Sequence, residues 1–382
     1  MDFSSLGLSA PLLKAIKEHG YDQPYPIQQH AIPVILSGKD VLGIAKTGSG
    51  KTAGFALPIL QLLQRRQPAR NRYIQALVLV PTRELAVQVA NVFQSFSTHL
   101  TRRVKTLAVF GGVSINPQMM ALSGTEVLVA TPGRLLDLLD NNALQLSELQ
   151  VLVLDEADKM LHLGFEEEMN RVFALLPEKR QSLLFSATLA TDVQEVKEKL
   201  LHNPVVVSVE EEREEEQLDL INQLAYRVSS ERKGPFLRYL IRQENMPQVL
   251  VFVSSIRNAD NLVAKLKKNG IDAMATHGDK SQGARTEALR LFKSGKIRVL
   301  VATDLMARGI DIQHLPYVIN YDLPRSPKDY IHRIGRTGRA GATGTAISLI
   351  TPEDEHHFKI IQKKMGRKVQ MLESDEVNLQ GY

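Results

Sequence analysis

Cysteine is absent from the 382 residues, which excludes disulfides and thiolate metal sites and fits a reducing cytoplasm. Tryptophan is absent too, and aromatic residues make up 5% of the chain, too few for an extensive base-stacking platform. No stretch of about 18 uninterrupted apolar residues occurs, so neither a membrane span nor a membrane partner is expected. The N-terminal segment has an acid at position 2 and no basic region before an apolar run, so it does not read as a secretory signal. With 43% hydrophobic and 23% charged residues, the composition is that of a globular protein, and the length suits two domains better than one.

The net charge of +5 conceals an asymmetry. Residues 1–230 carry 22 Lys and Arg against 26 Asp and Glu, or −4, whereas residues 231–382 carry 25 against 16, or +9. Such a division suggests a polyanion partner attracted mainly to the second half, although ordinary charge scatter would also produce it.

Short apolar runs alternate with helix-compatible segments throughout, the pattern of an α/β protein with mostly parallel sheets. Buried strands are expected within 40–45, 76–82, 104–110, 126–132, 151–158 and 182–188 in the first half. In the second half they are expected within 248–255, 271–278, 297–304, 317–322 and 345–351. Between the halves lies EEEREEE (210–216), whose six carboxylates in seven residues cannot enter a core. The expected division is therefore a first domain at 1–208, an acidic linker at 209–222 and a second domain at 223–382.

AKTGSGKT (45–52) follows the apolar run DVLGIA and precedes a helical segment. Gly48 and Gly50 allow the tight turn that aims backbone N–H groups, including those of Thr47 and Ser49, at phosphate oxygens. Lys51 supplies positive charge for the β- and γ-phosphates, and Thr52 a hydroxyl for Mg²⁺. About a hundred residues later, VLVLDEAD delivers Asp155 to the end of a buried strand, where a carboxylate suits the same Mg²⁺. Glu156 is then placed to orient or deprotonate the water that attacks the γ-phosphate of ATP. Taken alone, a DE pair after a strand more often marks a helix start. The phosphate loop reverses that preference.

With DEAD at 155–158, the chain resembles the DEAD-box RNA helicases over nearly its whole length. The similarity runs in order through GYDQPYPIQ (20–28), PTRELAVQ (81–88), Gly111-Gly112, TPGR (131–134), SAT (186–188), HGDKSQGAR (277–285), ATDLMARGID (302–311) and HRIGRTGRAG (332–341). GGVSINPQMM (111–120) looks particularly like the bacterial RhlE subgroup. The resemblance implies two tandem RecA-like domains, an ATP-dependent RNA helicase acting on short duplexes, and a monomer in the cytoplasm. Its protein partners would belong to ribosome assembly or RNA decay.

By the same resemblance, Gln28 and Tyr21, with Phe3, receive the adenine, and Asp311 lies near the ribose. A flat apolar partner and an amide that both donates and accepts are what an adenine requires. Composition alone would favour a Pro-rich turn for this segment. Arg336 and Arg339 are implied arginine fingers at the γ-phosphate. The three-residue spacing of Arg333, Arg336 and Arg339 would stack them on one face of a helical turn, where a basic RNA-binding face is the alternative. Ser186, Thr188, Asp158 and His332 are implied to couple hydrolysis to strand separation.

PTRE, GG, TPGR and QGAR combine turn formers with an arginine or a hydroxyl, a chemistry suited to phosphates and not to base edges. Arg83, Gly111, Gly112, Thr131, Arg134, Arg285 and Thr303 are therefore the expected contacts to an RNA backbone, with little sequence preference and marked salt dependence. For each arginine a surface ion pair is the rival. Tyr25 and Lys46 depart from the family pattern, which usually has threonine or serine and glutamine there. An ATP-gated RNA clamp would use the same residues as a helicase; a DNA translocase is disfavoured by DEAD and the adenine motif.

Overall fold

The computed structural model describes residues 2–45, 48–68, 70–209, 221–304, 315–338 and 344–382. The chain divides into two compact units, Met1–Glu210 and Glu211–Tyr382. The first contains strands β1 (Val41–Ile44), β2 (Ala76–Leu79), β3 (Thr106–Val109), β4 (Val127–Ala130), β5 (Val151–Leu154), β6 (Gln181–Ser186) and β7 (Val205–Ser208). The second contains β8 (Ile221–Arg227), β9 (Val249–Phe252), β10 (Ala273–Thr276), β11 (Val299–Ala302), β12 (Tyr317–Asn320), β13 (Gly344–Ile350) and β14 (Gln370–Glu373).

The strand orders are β3-β4-β2-β5-β6-β1-β7 and β10-β11-β9-β12-β13-β8-β14, with every pairing parallel. Counted within its own unit, each sheet has the same permutation. Helices flank both sheets, as the tandem RecA-like fold class requires.

Alternation along each strand explains why both sheet faces are covered. Val78, Val129, Val153 and Phe185 project into one apolar layer, while Leu77, Leu128, Leu152 and Leu184 project into the opposite one. The helix Arg83–Phe96 covers the first layer with Ala86, Val89, Ala90 and Phe93, one helical stripe. Its start is fixed by the Thr82 hydroxyl, which accepts from Leu85 N at 3.3 Å, a cap worth about 1 kcal/mol.

The eleven expected strand segments each contain a strand, but β7, β8 and β14 were not anticipated. These three gather at one end of each sheet and are amphipathic or partly exposed, as with Val206 in β7 and Asn222 in β8. β8 begins at Ile221, two residues before the expected second domain; residues 210–220, most of the expected linker, lie outside the described residues. Because all strands within a sheet run the same way, the segments leaving their carboxyl ends share one edge, the usual place for ligands in such folds.

Candidate functional site

Along that edge of the first sheet, the phosphate-type motifs follow β5, β6 and β1, while the RNA-type motifs follow β3, β4 and β2. Strand order therefore sorts the motifs expected at phosphate and those expected at RNA into neighbouring halves of one edge.

On the phosphate half, Gly48 and Gly50 have φ values of 89° and 86°, conformations that glycine adopts without steric cost. A Cβ on Gly50 would lie 2.5 Å from Gln28 Nε2 and 2.8 Å from Tyr25 Cδ2, so two side chains close over this turn. Gln28 is buried; its Nε2 donates to Gly50 O at 3.0 Å and its Oε1 accepts from Tyr25 N at 2.9 Å. The structure thus ties Gln28 to the phosphate loop, while the amide retains capacity for one further donor and one further acceptor contact. Phe3 packs in the core, and Tyr21 is half-buried with its ring edge-on to Phe96 at 5.6 Å. Thr47 and Lys46 lie outside the described residues.

Lys51 begins the helix Lys51–Gln64, and its Nζ donates to Ala45 O at 2.7 Å, bracing the loop from within. Asp155 is 2% exposed, and its Oδ1 accepts no hydrogen bond among the described residues. Burial pushes its pKa up to about 6, against the opposing pull of Lys51 and with a further push from Glu156. Glu156 sits at φ 56°, a left-handed conformation that costs a non-glycine residue about 1–2 kcal/mol. Its Oε1 accepts from Lys159 Nζ at 2.7 Å. Thr52, in the first turn of its helix, and Asp155 offer oxygen donors that fit a hard divalent cation shared with phosphates.

The SAT segment leaves β6 beside this group. Ser186 Oγ donates to Thr188 O at 2.8 Å, and Thr188 Oγ1 donates to Asp158 Oδ2 at 3.5 Å. Three of the expected coupling residues are therefore joined in one chain of contacts.

On the half expected to meet RNA, three motifs converge. A Cβ on Gly112 would lie 2.0 Å from Arg83 Nη2, so the Arg83 guanidinium rests on the Gly111-Gly112 turn, which only a missing side chain permits. Arg134 Nη2 donates to Val113 O at 2.7 Å and Nε to Asp137 at 3.2 Å. Arg134 Nη1 is buried without a hydrogen-bond partner among the described residues. Thr131 precedes the same helix as its N-cap residue. Gln118, on the helix Ile115–Ala121, also enters this cluster; it reaches Phe110 across a turn between a strand and a helix, a pairing that the periodicity of a single element does not reveal.

In the second unit, Arg285 is buried and donates to Gln282 Oε1 at 2.7 Å, while Thr303 follows β11 and is partly exposed. The expected stack of three arginines is modified at its first member. The helix Pro327–Ile334 stops before Gly335, and Arg333 turns inward, donating to both oxygens of Asp304 at 2.5 and 2.8 Å and lying 4.9 Å from the Phe252 ring centroid. The anion that offsets Arg333 is the chain's own Asp304. Arg336 is buried and His332 exposed; Arg339 and Asp311 lie outside the described residues.

The first unit matches the DEAD/DEAH box helicase family over residues 25–196, and the second matches the helicase conserved C-terminal domain over residues 232–341. The chain is 38% identical over 373 residues to the ATP-dependent RNA helicase CshA of Listeria monocytogenes, covering 97% of this chain and 70% of that protein. It is 39% identical over 371 residues to the DEAD-box ATP-dependent RNA helicase CshA of Geobacillus kaustophilus, covering 97% and 78%. Among solved structures, Saccharomyces cerevisiae Dbp5 bound to RNA and ADP BeF3 aligns with a TM-score of 0.83 at 33% identity over 98% of this chain and 96% of that one. A DEAD box protein from Methanococcus jannaschii aligns at 0.54 and 37% identity over 97% and 99%.

Proposed function

Because the chain belongs to the DEAD-box ATP-dependent RNA helicases, we propose that it couples RNA-stimulated ATP hydrolysis to local unwinding of short RNA duplexes and remodelling of RNA–protein complexes. The observation that carries this reading is the side-by-side placement of phosphate and RNA motifs on one sheet edge, where the contact between Thr188 and Asp158 joins the segments that follow β6 and β5 on the phosphate half.

In this mechanism the turn at Gly48–Thr52 holds the triphosphate and Lys51 offsets charge on its β- and γ-oxygens. Thr52 and Asp155 would hold Mg²⁺, which would supply positive charge to offset that developing on those oxygens. Glu156 orients the attacking water and accepts its proton, and Arg336 and Arg339 of the second unit complete the charge complement around the γ-phosphate. Gln28 and Tyr21, with Phe3, receive the adenine, and Asp311 the ribose. Arg83, Gly111, Gly112, Thr131 and Arg134, joined by Arg285 and Thr303, grip the sugar-phosphate backbone of one strand. Ser186, Thr188, Asp158 and His332 convert loss of the γ-phosphate into release of that grip.

The RhlE-like character of GGVSINPQMM remains our finer assignment within the family; the bacterial relatives above carry the name CshA. A monomer in the bacterial cytoplasm, working with ribosome-assembly or RNA-decay proteins, accords with this reading. Among the described residues no helix is long and apolar enough to cross a membrane.

The deciding experiment measures ATP turnover with and without RNA across a salt series, alongside displacement of a strand from a short RNA duplex. RNA-stimulated turnover with displacement is expected. Turnover without displacement would instead indicate an ATP-gated RNA clamp, and stimulation by DNA alone a translocase.

A further inference from the structure

The helix Ile115–Ala121 buries none of its residues; Ile115 and Met119 lean on the core, and Met120 is 82% exposed. Apolar packing is therefore a weak constraint on where this helix sits, and polar ties must do more. At its C-terminal end, Lys105 Nζ donates to Ala121 O at 2.8 Å and Ser123 O at 2.6 Å. From its middle, Gln118 reaches back to the residue that follows edge strand β3. Gln118 Oε1 accepts from Phe110 N at 3.0 Å, and Nε2 donates to Phe110 O at 3.1 Å and Ser114 O at 3.4 Å. One primary amide thus satisfies both backbone groups of Phe110, as a neighbouring strand would.

The turn closed by this amide contains Gly112, against which Arg83 rests, and Val113, whose carbonyl receives Arg134. We propose that Gln118 is a positioning residue for RNA: by locking residues 110–114 it sets the relative placement of Arg83 and Arg134 before a strand arrives. The proposal rests on the RNA-backbone role given above to those arginines. Gln118 need not touch RNA; it acts through the turn, and a neutral amide is suited to that because it satisfies a donor and an acceptor at once.

The test compares Gln118→Ala, Gln118→Met, Arg83→Ala, Arg134→Ala and the double variant Gln118→Ala/Arg134→Ala, reading the RNA concentration that half-maximally stimulates ATP turnover, the KM for ATP and the melting temperature. Loss of the three backbone hydrogen bonds of the Gln118 amide predicts a rise of about tenfold in the RNA concentration for both Gln118 variants, with the KM for ATP unchanged. In the Arg134→Ala background, Gln118→Ala should raise it by less than in the parent, because the part of its effect that passes through Arg134 is already gone and only the part through Arg83 remains. Unchanged RNA dependence for Gln118→Met, which keeps the stem without the amide, overturns the proposal if Arg134→Ala still weakens stimulation. Full additivity of the two substitutions overturns it as well. If Arg134→Ala and Arg83→Ala both leave RNA stimulation intact, the RNA-site assignment itself fails.

Discussion

Lys51 and Lys233 occupy equivalent places in the two units: each is the first residue of the helix that follows the first strand of its sheet, and each is 5% exposed. Their surroundings differ. Lys51 follows Gly50, in a left-handed turn, and its Nζ donates to Ala45 O, with buried Asp155 close enough for the two charges to interact. Lys233 follows Arg232 at φ −83°, donates to Tyr321 O at 2.9 Å and lies 3.7 Å from both Asp322 and Asp354. The same topology therefore buries a lysine twice. In the second unit two carboxylates neutralise the cation internally; in the first, the glycine turn leaves it beside a loop shaped for phosphate.

The largest test of this contrast exchanges function for stability. Lys51→Ala should lower ATP turnover by about a thousandfold or more, the scale for losing a principal charge partner of a transition state. Phosphate release at saturating RNA measures it, and near-normal turnover would remove the phosphate-loop assignment. Lys233→Met should spare the KM for ATP and instead destabilise the second unit by about 2–3 kcal/mol in a urea titration. That figure sits below the range for a fully buried pair, because Asp322 and Asp354 are 19% and 36% exposed. A purely catalytic defect in Lys233→Met would break the comparison.

Much of this architecture was legible in the chain because buried parallel strands announce themselves: VLVL at 151–154 and VLVF at 249–252 are apolar on both faces. The phosphate turn was equally legible, since its glycines, Lys51 and Thr52 are contiguous. Strands β7 and β14 were not, because edge strands with exposed positions lack that signature. Pairings set by topology were also hidden. Nothing local indicates that Arg333 meets Asp304, 29 residues earlier, or that Gln28 fastens Gly50. Helical spacing instead suggested a stack of arginines on one face of a helical turn, and at Arg333 burial against Asp304 and Phe252 prevailed over that periodicity.

Asp155 sharpens the contrast at intermediate size. An acid whose pKa is raised on folding binds its proton more tightly in the folded chain. The stability it contributes is complete below the ordinary aspartate value of 3.8 and is lost as pH rises through about 6. Asp155→Asn, which carries no charge at any pH, should therefore be more stable than the parent by about 1–3 kcal/mol at pH 8 without nucleotide. The difference should close as pH falls below about 4. Denaturant titrations at the two pH values measure it. A less stable Asp155→Asn at pH 8 would mean that the attraction of Lys51 outweighs the burial of the carboxylate. Asp322, partly exposed and hydrogen-bonded by Ser254 N and Oγ, is expected to show no such gain on conversion to Asn.

The smallest effect concerns Tyr25, whose bulk departs from the family pattern and whose ring the structure sets against Gly50 while leaving it 51% exposed. A half-exposed ring adds little to global stability, so Tyr25→Thr should shift unfolding by no more than about 0.5 kcal/mol. Its contact, however, falls on the one backbone unit that Gln28 also holds, and loosening that unit costs nucleotide binding before it costs the fold. The expected result is a rise in the KM for ATP of up to about fivefold, or about 1 kcal/mol, at unchanged kcat. Tyr25→Phe should retain the parent KM, since ring contact and not the hydroxyl is at issue. The second unit needs no such cover, because carboxylates rather than a ring secure Lys233 at its equivalent turn. An unchanged KM in Tyr25→Thr would show that Gln28 alone suffices to hold the phosphate loop.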